Sequence, residues 1–123
     1  MAIASVSDDE FFALVKRSEV FTVVDFTATW CGPCKRIAPT FEELASTHRI
    51  EDAIEFISVD VDACPSASSW ARVTAMPTFH VYKNNVKVSE SVGANSSALT
   101  QMVEDLTTEY KSLSANSLPI VPT

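Results

Sequence analysis

Two cysteines three residues apart, Cys31 and Cys34, are the residues of this sequence most able to do chemistry. They stand where an apolar run, Val20 to Phe26, hands over to a stretch with helical spacing, in which Ile37, Phe41, Leu44 and Ala45 share one side. Residues three apart on a helical turn have Cβ atoms roughly 5–6 Å apart, and a disulfide needs about 3.8 Å, so modest tightening closes the pair reversibly. Cys31 falls at the helix N-terminus, where free N–H groups and the macrodipole favour a thiolate. Pro33 lacks an N–H and presets φ for the first turn, while Gly32 leaves room for a partner chain to reach the sulfur. Cys31 is therefore expected to be the more exposed and more acidic thiol, attacking a substrate disulfide to form a mixed disulfide. Cys34, behind it, then attacks Cys31 and releases the reduced substrate. Side chains alone carry this exchange, so no bound cofactor is expected.

Zinc is the other use of such a pair. A structural site needs four ligands, usually two cysteine pairs or one with a histidine pair. Only Cys64, His48 and His80 remain here, without paired spacing, so no metal site is expected. The strand-to-helix placement favours redox chemistry. Cys64 itself reads as an inert, partly buried thiol.

Asp25 is the second informative residue. A carboxylate inside Val23-Val24-Asp25-Phe26 is costly to bury in its charged form, so its pKa should rise. It could accept the proton of Cys34 when that thiol becomes a nucleophile. It could instead be a strand-end Asp reaching solvent or a backbone N–H. That its strand leads directly into the cysteine loop favours the first. Pro77 starts a strand after a turn, and local sequence alone reads it as trans, since cis accounts for only about 5–6% of X–Pro bonds.

The elements that must position these residues alternate along the chain. Ala2 to Val6 reads as a leading strand. Ser7 with Glu10 forms a capping box opening a helix with Phe11, Leu14 and Val15 on its apolar side. Val20 to Phe26, apolar on both faces, reads as a central strand covered on both sides. The helix after Cys34 contains Pro39, which removes a hydrogen bond to Lys35 and should kink it. A strand from Ile54 to Val61 follows, then a short helix or turn around Trp70. Thr78 to Lys83 and Val86 to Val92 flank Asn84-Asn85, a hairpin turn because Asn tolerates positive φ. Asn95 caps a last helix with Leu99, Met102, Val103, Leu106 and Tyr110 inward. From Ser112 onward the chain is expected to fray. The order predicts one α/β domain, a central mixed β-sheet sandwiched by helices.

Composition bounds the function. At 123 residues the chain suits one domain, and 46% hydrophobic with 20% charged residues is ordinary for a globular fold. A net charge of −7 speaks against nucleic acid, which needs a basic footprint. No stretch approaches about 18 uninterrupted apolar residues, so no membrane-spanning helix is expected. The acidic start, without a basic n-region or the arginines of a transit peptide, predicts a cytoplasmic location.

Taken together, Trp30-Cys31-Gly32-Pro33-Cys34-Lys35, Val24-Asp25-Phe26, Pro39, Met76-Pro77-Thr78 and Val92-Gly93-Ala94 resemble the thioredoxin family, over about residues 2 to 110. The resemblance implies the thioredoxin fold over residues 1–111, with residues 112–123 as a flexible C-terminal extension. It reverses the local reading of Pro77, implying a cis bond beside the active site. Cys31 would be the nucleophile, Cys34 the resolving thiol and Asp25 the buried acid. Trp30, Gly32, Pro33, Val61, Met76, Pro77 and Gly93 would line the shallow surface that docks partners, with the Met76 backbone pairing to an extended segment. The implied activity is a monomeric protein-disulfide reductase, recharged with NADPH by thioredoxin reductase. Its implied clients are peroxiredoxin, ribonucleotide reductase and methionine sulfoxide reductase types. A thioredoxin-fold binding module, or a dedicated donor to one partner such as a peroxidase, is the alternative. Ser58 departs from the family pattern, standing where a charged side chain is common near the buried acid.

Overall fold

The computed structural model describes residues 3–116. In chain order it contains β1 (Ile3–Ser5), α1 (Asp8–Val15), β2 (Phe21–Thr27), α2 (Gly32–His48), β3 (Ile54–Asp60), α3 (Pro65–Trp70), β4 (Thr78–Lys83), β5 (Val86–Val92) and α4 (Ser96–Asn116). The strands form one sheet in the order β1-β3-β2-β4-β5. β1 and β2 flank β3 in parallel, while β4 and β5 run antiparallel. The mixed sheet expected from the sequence is therefore present, with β1 on its outer edge. Ala2, the first residue expected in that strand, lies outside the described residues.

β2 sits at the centre because both of its faces are apolar. Phe21 and Val23 face a core built with Ile37, Phe41 and Leu44 of α2 and Leu99 and Val103 of α4. Val24 and Phe26 face the opposite core, with Phe11 and Val15 of α1 and Ala67 of α3. Full burial of each such Val, Leu or Phe side chain contributes roughly 1.5–3 kcal/mol, so a strand anchored in both cores is the least movable element. The Phe11 ring meets Phe26 and Tyr82 edge-on at 5.8 and 6.0 Å.

Local signals acted as read. Ser7 and Glu10 exchange both hydrogen bonds of a capping box. Asn95 Oδ1 accepts from the Ala98 N–H at 3.0 Å at the start of α4. Asn84 and Asn85 both have positive φ, 54° and 64°. Their N–H groups donate to the carbonyls of Arg17 and Val15, which ties the hairpin to the end of α1. Pro39 lies inside α2.

α4 runs past Ser112 to Asn116. Adding a residue to an existing helix gains one hydrogen bond for each residue ordered, a nearly even exchange where no tertiary packing adds to it. Leu113 remains 43% exposed, in keeping with a helix end that leaves the core. The remainder of the expected extension, residues 117–123, lies outside the described residues.

Candidate active site

β2 ends at Thr27 and α2 begins at Gly32, so the turn between them carries Trp30 and Cys31 to the edge of the sheet. Cys31 is the N-cap of α2. Its Sγ accepts the Cys34 N–H at 3.1 Å, and its carbonyl accepts the Lys35 N–H at 3.2 Å. Pro33, in the first turn, has no N–H to leave unsatisfied. The two cysteines form a disulfide with Cα atoms 5.3 Å apart, within the span a disulfide bridges. When the bond opens, the negative charge of a Cys31 thiolate lies against that N–H and the helix N-terminus, which stabilise it.

The two thiols are not distinguished by exposure in this oxidised form. Cys31 was expected to be the more exposed, yet the residues are 4% and 5% exposed. Each sulfur covers the other, and Ala28, Val61 and Met76 pack around the pair. What separates the cysteines is their place on the helix: Cys31 receives an N–H and Cys34 supplies it.

The surface around the disulfide comes from three distant segments. Val61 follows β3, and its N–H donates to Thr27 at 2.9 Å. Met76–Pro77 is a cis peptide, so the local trans reading is corrected and the family resemblance is upheld. The turn from Ala75 to Thr78 is closed by the Thr78 hydroxyl, which donates to the Ala75 carbonyl at 2.6 Å. Pro77 is itself buried, and its carbonyl accepts the Gly93 N–H at 2.8 Å, which fastens β5's end beside it. Gly93 has φ +94°, a conformation that a side chain rarely adopts. Gly32 and Pro33 are exposed on the first turn of α2.

Trp30 is 64% exposed and not core. Its indole N–H donates to Asp62 at 2.7 Å, fixing the ring beside the disulfide. Sequence reading did not single out Asp62. Its signal is the alternation Asp60-Val61-Asp62, which alone does not say where the carboxylates point. Asp60 Oδ1 accepts the N–H groups of Asp62 and Ala63, shaping the turn that presents Asp62.

Asp25 lies mid-strand in β2 and is 9% exposed. Its Oδ1 is buried with no hydrogen-bond partner. Burial alone pushes its carboxyl up to about 7, as the sequence argument required. It lines a cleft of about 480 Å³ together with Cys34, and Ser58 is its register partner on β3. The other reading, a strand-end Asp reaching solvent or a backbone N–H, does not describe a mid-strand residue that is buried and whose Oδ1 has no partner.

The remaining titratable candidates are occupied elsewhere. Cys64 is 2% exposed, its thiol donates to the Val6 carbonyl, and burial with nearby carboxylates raises its pKa, so its thiolate is disfavoured. His48 Nδ1 bonds the Thr107 hydroxyl, joining α2 to α4. His80 is buried between Tyr82 and Glu90, at 2.8 and 3.0 Å. Burial lowers its pKa, so it is neutral at pH 7 and its contact with Glu90 is a hydrogen bond. With one ring N–H to give, Nε2 donates to the carboxylate and Nδ1 accepts from the Tyr82 hydroxyl. Among the described residues no group of three or more His, Cys, Asp or Glu could hold a metal ion.

Comparison with known proteins bears on this geometry. A family model described as thioredoxin matches residues 2–105. The chain is 46% identical over 98 residues to thioredoxin 1 of Plasmodium falciparum, spanning 80% of this chain and 90% of that protein. The solution structure of oxidised thioredoxin from Plasmodium falciparum superposes with a TM-score of 0.76 at 43% identity, covering 85% of this chain and 98% of that one. A chain from a structural study of thiol resolution in yeast mitochondrial 1-Cys peroxiredoxin via glutathione/thioredoxin systems gives 0.74 at 35% identity, with 85% and 95% covered.

Proposed function

The chain belongs to the thioredoxin family and is a protein-disulfide reductase working by thiol–disulfide exchange, and from this premise we propose that Cys31 is its nucleophile, Cys34 its resolving thiol and Asp25 the acid that serves Cys34. The Cys31 thiolate attacks one sulfur of a client disulfide, forming a mixed disulfide and expelling the other client sulfur as a thiolate. Asp25, as carboxylate, takes the Cys34 proton across their shared cleft. The Cys34 thiolate attacks Cys31, the second client thiolate leaves, and the chain is left with the Cys31–Cys34 disulfide. Two electrons have moved from the dithiol to the client.

Trp30, Gly32, Pro33, Val61, Met76, Pro77 and Gly93 form the docking surface in this reading. Cys31, Val61 and Met76 share one packed cluster. Pro77, being buried, acts there by holding Met76 and Gly93 in place. The active unit is the thioredoxin domain of residues 1–111, with residues 112–123 as an extension. Electrons come from NADPH through thioredoxin reductase, and the monomer passes them to clients of the peroxiredoxin, ribonucleotide reductase and methionine sulfoxide reductase types in the cytoplasm. The similarity to a chain studied with a 1-Cys peroxiredoxin supports the first client class.

The observation that carries the assignment of roles is the Cys34 N–H on Cys31 Sγ at the start of α2. The test is the reduction potential of the pair in defined thiol buffers, with Cys64→Ser as control. A value near about −270 mV, the figure already characteristic of thioredoxins, is expected of a general electron donor. A value above roughly −200 mV, in the range of disulfide isomerases, would overturn it.

A further inference from the structure

Behind the disulfide, on the face of the sheet covered by α2, the row Ser5–Ser58–Asp25 runs across β1, β3 and β2 in register. Neighbouring positions in the same strands carry Phe56 and Val23, which fill the core against α2. Three short polar side chains in place of such residues leave a gap, and the result is the cleft of about 480 Å³. Ser46 and Glu42 of α2 complete its polar wall, and Phe41 supplies an apolar one.

The chemistry of this wall is one-sided. It holds two carboxylates and three serine hydroxyls, and no Lys or Arg lines it. Asp25 is more than nine-tenths buried and its Oδ1 has no donor, a state that buried polar groups rarely keep. An anion is excluded by the two carboxylates and by the net charge of −7. A neutral donor could bond the Asp25 carboxylate, but a cationic one forms the shorter, roughly twice stronger charge-assisted bond. An ammonium has two further N–H groups for hydroxyls, and a short alkyl body can lie on Phe41.

We propose that the cleft between α2 and the β1–β3 edge binds a small primary ammonium with a short alkyl body, its N–H donating to the Asp25 carboxylate. Occupancy holds Asp25 ionised and paired, so it no longer accepts the Cys34 proton, and the site makes exchange sensitive to amines. This consequence rests on the acid–base role given to Asp25 above, whereas binding does not.

The test therefore reads binding and not turnover. The full oxidised chain, labelled with ¹⁵N, is titrated with n-butylammonium chloride in about 0.15 M NaCl, where exposed carboxylates are screened. n-Butanol serves as the neutral isostere. Saturable amide shifts at Asp25, Ser58 and Ala38 are expected, with butanol binding at least tenfold more weakly. Asp25→Asn removes the charge and should weaken butylammonium at least tenfold. Ser58→Leu fills the cleft while keeping Asp25, and should abolish the shifts. Equal binding of butanol, unchanged binding to either folded variant, or shifts confined to exposed acids such as Asp9 and Glu10 overturns the site. Should a variant not fold, the two ligands on the natural chain still decide.

Discussion

Asp25 illustrates how burying one carboxyl without a partner weakens a fold. Its carboxyl has no partner in the folded chain and is raised from 3.8 to about 7 by burial. Below pH 3.8 the group is protonated in both folded and unfolded chains, so it leaves stability unaffected. Between 3.8 and about 7 the unfolded chain releases its proton first, and stability falls as pH rises; above 7 the full deficit persists. Three pK units correspond to about 4 kcal/mol. Asp25→Asn is accordingly expected to be more stable than the natural chain at pH 8, by up to about 4 kcal/mol, with the two converging near pH 4. Urea unfolding of the oxidised proteins at both pH values measures this, and equal midpoints at pH 8 would contradict a buried, unpaired acid. The same variant should slow resolution of the mixed disulfide if the proton role is right, so a gain in stability and a loss in rate belong to one side chain.

At the scale of elements, the joints matter more than the elements themselves. α2 places Cys31 because its N-terminus starts immediately after the turn from β2, and Pro33 in its first turn costs the helix no hydrogen bond. The β4–β5 hairpin places Gly93 beside Pro77, and its register depends on Asn84-Asn85. Both asparagines hold positive φ, 54° and 64°. A β-branched residue in that region costs roughly 1–2 kcal/mol, whereas Gly meets no such penalty. Asn85→Val should therefore destabilise the chain by about 1–2 kcal/mol, and Asn85→Gly should leave it equal or slightly more stable. Paired urea curves compare them; a Val variant as stable as the Gly variant would mean that the turn relaxes into another type.

Across the whole molecule, the arrangement grades stability from centre to edge. β2 is bonded on both sides and buried on both faces, so its amides are expected to exchange hydrogen only when the whole domain opens. β1 and β5 each have one free edge. The last turn of α4, with Leu113 exposed, opens at little cost. Hydrogen exchange resolved by residue should rank β2 slowest and residues 112–116 fastest. Fast exchange beginning before Lys111 would move the domain boundary inward, and slow exchange through Asn116 would erase it. The rigid centre carries the cysteine loop at its end, which is how a shallow, exposed surface keeps a fixed shape.

Much of this was legible in the residues. The capping box at Ser7 and Glu10, the Asn84-Asn85 turn and the both-sided apolarity of β2 are each written in a few consecutive residues, and the fold then uses them as read. The cysteine pair at a strand-to-helix joint already specified the class of chemistry, because spacing along a helical turn is a local quantity. Tertiary structure decided the rest. The Trp30–Asp62 bond spans 32 residues and depends on a turn shaped by Asp60, so no local pattern announces it. The cis state of Met76–Pro77 is set by surroundings, and local preference pointed to trans. The equal burial of Cys31 and Cys34 follows from Val61 and Met76 arriving from elsewhere in the chain. The cleft at Asp25 exists because Ser5 and Ser58 come into register beside it. Covalent neighbours determine conformation and intrinsic reactivity, while burial, and with it the charge a group can hold, is a property of what the fold brings around it.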